Sequence, residues 1–170
     1  EITLPTTPIK GIDDPDGEIA LCILSAINVG AIGNLNELET LCDLSVRALD
    51  EIIELQDYPV KAAEVSTKSR RSLGIGYIGL AHYLAKNGVK YSDPKAWELV
   101  DRLSEAFQYY LLRASCDIAE EKGKCSAFDR TKYADGLLPI DPYKKDVDKI
   151  VTHKQRMAWE SLRKDIAKHG

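Results

Sequence analysis

Cysteine is scarce and unpaired in pattern: Cys22, Cys42, Cys116 and Cys125 are the only four in 170 residues, and no Cys-x-x-Cys occurs. That is too few for a disulfide framework and lacks the spacing of a zinc or dithiol motif. Histidine is scarcer. His82, His153 and His169 lie far apart, without partners at ligand spacing, so no metal site is expected. A basic excess is also missing. Lys and Arg number 23 against 27 Asp and Glu, a net charge of −4, which argues against a dedicated nucleic-acid binder. The apolar run Ile19 to Leu24 is far short of the roughly 20 residues that a membrane span needs. No secretory signal opens the chain, so reduced thiols and a cytoplasmic location are the expectation. Internal repeats and low-complexity stretches are absent as well.

What remains is an ordinary globular composition, 44% apolar and 29% charged, too apolar for disorder. The length is one domain's worth of chain. Residues 1–17 are rich in turn formers: Pro5, Pro8, Gly11 and Asp13-Asp14-Pro15-Asp16-Gly17. They predict a loop running into a hairpin-like turn. Glu18 to Leu24 is apolar without alternation, which predicts a strand buried on both faces, as in a parallel sheet. Ser25 to Gly33 is a connector of small residues.

Asn36 and Glu39 fit a capping box. Leu38, Leu41, Ser45, Ala48, Leu49, Ile52 and Ile53 then follow helical spacing, and Pro59 limits the helix. Residues 61–72 are polar and basic. Leu73 to Ile78 reads as a strand, and Leu80 to Lys86 as a helix stopped by Asn87-Gly88. A long helix follows, with Asp93 as cap, Pro94 at the first helical position and Gly123 at its close. Residues 125–145 read as irregular. A last helix around Gln155 to Lys168 uses Trp159, Leu162 and Ile166. The order favours an α/β class, but two strands do not make a stable sheet alone. The chain, which starts at Glu1 rather than at a methionine, is therefore expected to be part of a larger α/β body.

Several residues invite chemistry. Gly74-Ile75-Gly76-Tyr77-Ile78-Gly79 matches a dinucleotide fingerprint by letters, but Lys68-Ser69-Arg70-Arg71-Ser72 stands where a hydrophobic strand should precede it. A glycine-bearing strand packed closely on neighbouring backbone is the favoured reading. Tyr109 and Tyr110, adjacent on a helix, are expected to face apart. Cys42 and Cys116 fall within helices and Cys125 follows a helix end. Cys22 sits in the predicted strand, where a free cysteine is often just a small core residue.

Several segments together resemble the large (alpha) subunit of class I ribonucleotide reductase, chiefly as found in bacteria and their phages. They are Glu1-Ile2-Thr3-Leu4-Pro5-Thr6, Gly17-Glu18-Ile19-Ala20-Leu21-Cys22, Leu24-Ser25-Ala26, Val46-Arg47-Ala48-Leu49-Asp50 and Gln56-Asp57-Tyr58-Pro59. Arg70-Arg71-Ser72-Leu73-Gly74-Ile75-Gly76, Gln108-Tyr109-Tyr110-Leu111 and Leu138-Pro139-Ile140-Asp141 complete the set. The resemblance runs in order from Glu1 to about Gly170.

It implies that residues 1–170 are a single segment of a ten-stranded α/β barrel, helix-rich and with few of its strands, beginning within the family's finger-loop motif. It implies reduction of ribonucleoside diphosphates to deoxyribonucleotides. Glu1 then matches the last position of the finger-loop Asn-x-Cys-x-Glu motif and would take the proton of the ribose 3′-hydroxyl. Cys22 matches one of the two redox cysteines that reduce the 2′ position. No cofactor is implied for this chain. The complete enzyme would need the rest of the large subunit, a radical-generating small subunit and a thioredoxin- or glutaredoxin-type reductant. This segment alone would be inactive. A non-catalytic helical interaction module and a nucleotide-binding dehydrogenase fragment are the alternatives.

Overall fold

The computed structural model describes residues 6–142, 145–151 and 155–170. Among them the chain forms β1 (Ile23–Asn28), α1 (Glu37–Leu55), α2 (Lys61–Arg70), β2 (Leu73–Ile78), α3 (Leu80–Lys86), α4 (Pro94–Lys122) and α5 (Trp159–His169). The architecture is mixed α/β and helix-rich. The two strands pair in parallel, Ile23 opposite Leu73 through to Asn28 opposite Ile78.

Local chemistry places the longest element. Asp93 is extended, Pro94 opens α4 where its missing N–H costs nothing, and Gly123 at φ +93° closes it. The Asp93 carboxylate accepts the Lys90 N–H at 2.7 Å and so braces the preceding turn, while the helix N–H groups go without a side-chain cap. At α1 the predicted capping box between Asn36 and Glu39 is not formed. Glu37 instead reaches back to the Gly33 N–H at 3.1 Å, and Asn34 accepts the Asn36 N–H at 2.9 Å. These side chains satisfy N–H groups just ahead of the helix, and Asn34 Nδ2 also donates to Glu37 at 3.1 Å, without the reciprocal exchange of a capping box.

The strand predicted over Glu18 to Leu24 is corrected. It begins at Ile23 and takes in residues assigned to the connector. Its register is set by β2, and the residues before Ile23 bond elsewhere: Ile19 donates to the Ala62 carbonyl at 3.1 Å and Glu18 to the Thr7 carbonyl at 2.9 Å. The polar and basic stretch after residue 60, to which the sequence assigns no element, forms α2. That helix buries Ala62, Ala63, Ser66 and Thr67, residues that carry no apolar signature in the sequence. The last helix starts at Trp159 and not at Gln155.

Nor is the sheet buried on both faces. On one side Ile27, Ile75 and Tyr77 pack with Cys42 of α1 and Leu103 and Phe107 of α4, and Tyr77 meets the Phe107 ring edge-on at 5.3 Å. Leu73 and Ile75 extend this contact to Val46, Ala114 and Ile118. Leu38 and Leu103 are fully buried here, each contributing about 1.5–3 kcal/mol of burial. The other side is open: Leu24 is 73% and Ile78 57% exposed, with Ala26 and Gly76 between them. A second core gathers Cys116, Phe128, Leu138, Trp159, Leu162 and Ile166 where α5 crosses the far half of α4.

Candidate active site

The middle of the open sheet face is paved by small residues, between the exposed Leu24 and Ile78. Across the pair, Leu24 stands opposite Gly74 and Ala26 opposite Gly76. A Cβ built on Gly76 would meet no atom within 4 Å. The expectation that this glycine packs on neighbouring backbone is therefore corrected; close packing occurs at Gly79 instead. There φ is +77°, and a Cβ would lie 2.3 Å from the Asn28 side-chain oxygen. Gly74 and Gly76 sit inside β2, not in the strand-to-helix turn that a dinucleotide fingerprint uses.

Cys22 lies immediately before β1, at the start of this face, and not within the strand as expected. It is half-buried, and its Sγ stands 3.7 Å from the Ile23 carbonyl oxygen. Burial pushes the Cys22 thiol up from its ordinary range, so it keeps its proton in neutral solution. That is the form with a hydrogen to give. Directly after it, the Ile23 N–H donates to the Ser72 carbonyl at 3.2 Å, where the α2 end turns into β2. The turn itself holds Arg71 at φ +50°.

Upstream, Glu18 is held from three sides. Its carboxylate accepts Arg70 Nη2 at 2.6 Å and the Thr7 N–H at 3.0 Å, and Arg130 Nη2 stands 3.7 Å away. The Arg70 guanidinium holds the Glu18 carboxyl below the usual carboxylate range. Sequence reasoning missed this group. The signal for it was the presence of Glu18 and of Arg70-Arg71 in two of the segments that carry the resemblance, which does not by itself pair them.

Glu1, the other predicted site residue, lies outside the described residues. Cys42, Cys116 and Cys125 are free thiols on the predicted elements, the first two fully buried. Burial pushes Cys42 up to about 12. Tyr109 and Tyr110 turn to different cores as expected, Tyr110 to the one under the sheet and Tyr109 to the one at α5, while their ring edges still meet at 5.7 Å. Side-chain rotation about a shared helix turn closes the angle that backbone spacing opens, and the Trp159 ring at 5.4 Å holds Tyr109 there. These rings belong to the helical cores, not to the open face. A recess lined by Ile32, Leu35, Tyr83, Lys86, Leu99 and Arg102 shares no residue with the Cys22 segment. Among the described residues no group of three or more His, Cys, Asp or Glu could hold a metal, and no helix is long and apolar enough to cross a membrane.

Comparison with known proteins gives a consistent pattern. The family model described as "Ribonucleotide reductase, barrel domain" matches residues 1–170. The ribonucleoside-diphosphate reductase subunit alpha of Buchnera aphidicola subsp. Schizaphis graminum is 58% identical over all 170 residues, as is that of Haemophilus influenzae. The corresponding subunit of Enterobacteria phage T4 is 38% identical over 172 aligned residues. The chain spans about a fifth of these relatives' length: it covers 22% of each.

Proposed function

The chain belongs to the ribonucleotide reductase barrel-domain family, and from that premise we propose that it supplies one wall of the active site of a cytoplasmic ribonucleoside-diphosphate reductase. In this reading Cys22 is one of two thiols that reduce the substrate's 2′ position. The C2′–O bond breaks and the oxygen leaves as water. Two thiols give up their hydrogens and two electrons and become a disulfide, which a thioredoxin- or glutaredoxin-type dithiol then reduces by exchange. Glu1 accepts the 3′-hydroxyl proton while the radical is on the ribose. The second thiol, the radical cysteine and the phosphate site belong to the rest of the large subunit, and a small subunit generates the radical. The 170 residues alone therefore turn over nothing.

The observation that carries the reading is the position of Cys22: a protonated, half-exposed thiol at the head of a sheet face left bare by Ala26, Gly74 and Gly76. The ring of a nucleotide's sugar can approach the part of the face over Ala26, Gly74 and Gly76, where little side chain stands in front of the backbone, between Leu24 and Ile78.

The test is Cys22→Ser in the complete large subunit assayed with its small subunit. Loss of multiple turnover with a dithiol protein reductant, at unchanged substrate binding, is the expected result. Near-normal multiple turnover would overturn the assignment.

A further inference from the structure

The segment that carries Cys22 is stitched to its surroundings at both ends. On the downstream side Ile23 bonds to Ser72, at the end of the turn that follows α2. Upstream the anchors are Ile19, on the Ala62 carbonyl of α2, and Glu18. Glu18 does more than anchor. Its own N–H donates to the Thr7 carbonyl at 2.9 Å while its carboxylate accepts the Thr7 N–H at 3.0 Å, a reciprocal pair that closes residues 7–18 into one loop. The same carboxylate oxygen takes Arg70 Nη2 at 2.6 Å. Glu18 is 8% exposed, so this ion pair works in a medium less polar than water. Arg70 Nε is buried without a partner, as are the hydroxyls of Ser66 and Thr67 on the same helix. The Arg70 charge therefore depends on Glu18, and removal of Glu18 leaves it mostly buried and uncompensated, whereas Glu18 would keep only the more distant Arg130.

Thr7 follows Glu1 by six residues and Glu18 precedes Cys22 by four. One carboxylate thus joins Thr7 to the stretch that leads to Cys22, and locks both to α2. We propose that Glu18, clamped by Arg70, is a positioning residue that sets the place of the Cys22 thiol during reduction by fixing the segment from Glu18 to Ile23 against α2. The proposal rests on the redox reading of Cys22. Catalysis of this kind is sensitive to placement: an error near 1 Å can cost about 10²-fold in rate.

The test uses the complete large subunit with its small subunit. Glu18→Gln keeps the size and the hydrogen-bonding oxygen but removes the charge that Arg70 needs. The expected result is a fall in kcat of about 10²-fold with KM within about twofold. The swap Glu18→Arg with Arg70→Glu should restore at least a tenth of the wild-type kcat. Lys61→Gln, on the exposed side of α2 where it pairs with Glu64 and does not touch Glu18, should stay within twofold. Thr7→Pro removes the loop's N–H and leaves the ion pair, and it should lower kcat while the melting temperature holds. It serves if Glu18→Gln does not fold. Wild-type kcat in Glu18→Gln, or in Thr7→Pro, overturns the proposal, as does a loss shared equally by KM and the melting temperature. Cys22→Ser runs alongside. If that variant turns over normally, the redox reading itself fails. If it is dead while Glu18→Gln is normal, only the positioning role fails.

Discussion

Arg71 holds a left-handed backbone conformation at φ +50°, and its guanidinium grips Asp50 of α1 at 2.6 Å. A non-glycine residue there costs about 1–2 kcal/mol. The cost is offset by a network: Arg71 also donates to the Asp50 carbonyl at 3.0 Å, and Lys122 at the end of α4 reaches the other Asp50 oxygen at 3.1 Å. Asp50 is 5% exposed. It therefore ties α1, the α2–β2 turn and α4 at one point beside the Ser72 carbonyl that fixes Ile23.

Asp50→Asn should destabilise the fold by about 2–3 kcal/mol, somewhat below a fully buried pair because Arg71 is partly exposed. In an Arg71→Gly background the same change should cost less than half as much, because the partner charge and the strain are gone together. Denaturant titration of the four variants gives the coupling. Strict additivity would show that the two residues do not act as a unit.

The parts of this fold written in local chemistry were legible. Asp93, Pro94 and Gly123 mark the ends of α4, and Leu73 to Ile78 with Leu80 to Lys86 fall where punctuation places them. What was not legible depends on contacts far along the chain. α2 buries alanines, a serine and a threonine, so no apolar stripe announces it. β1 slid downstream because apolarity between Ile19 and Leu24 says nothing of register, which the parallel partner decides. For the site, Cys22 stood out only through resemblance; its surroundings as an isolated motif read as core. Glu18 and Arg70 are 52 residues apart, and no spacing rule joins them.

A second prediction concerns acid. Arg163 forks onto Asp141 with two bonds of 2.8 Å and holds its carboxyl at about 2 in the folded chain, against 3.8 when free. The folded value is the lower one. The stabilisation is thus complete above pH 3.8 and is lost as pH falls from there toward 2. Both groups are partly exposed, so the contribution is about 1 kcal/mol. Melting temperature measured from pH 6 to pH 2 should fall more steeply in the wild type than in Asp141→Asn. Parallel curves would refute the linkage.

The thiols give a third. Cys42 and Cys116 are fully buried, and Cys42 holds its proton up to about pH 12. Cys22 and Cys125 are half-exposed. Iodoacetamide at pH 8 should modify Cys22 and Cys125 in the folded chain and spare the other two until denaturant is added. Labelling of Cys22 should rise further with pH, since burial holds its thiol above the ordinary range. Peptide mapping by mass spectrometry reads each site, and early labelling of Cys42 would contradict the packing of α1 against α4.

The last prediction tests the open face directly. At Gly76 an added side chain meets nothing within 4 Å, so the described fold has room for one. Valine also suits an extended backbone better than glycine does, by up to about 1 kcal/mol. On structural grounds Gly76→Val should therefore leave the stability of the 170-residue fold unchanged or slightly raised. If the face beside Cys22 receives substrate, the same two methyl groups occupy the space left bare between Ala26 and Gly74. KM for the ribonucleoside diphosphate should then rise about tenfold, the order expected when a methyl group or two obstructs a fitted pocket. Ser25→Thr on the packed side of β1 is the opposite control. It adds one methyl group toward the helices, where interiors resist added volume, and it should cost stability without a specific effect on KM. Unchanged KM in Gly76→Val, at unchanged stability, would mean that substrate does not use this face, and the bare glycines would then need another explanation.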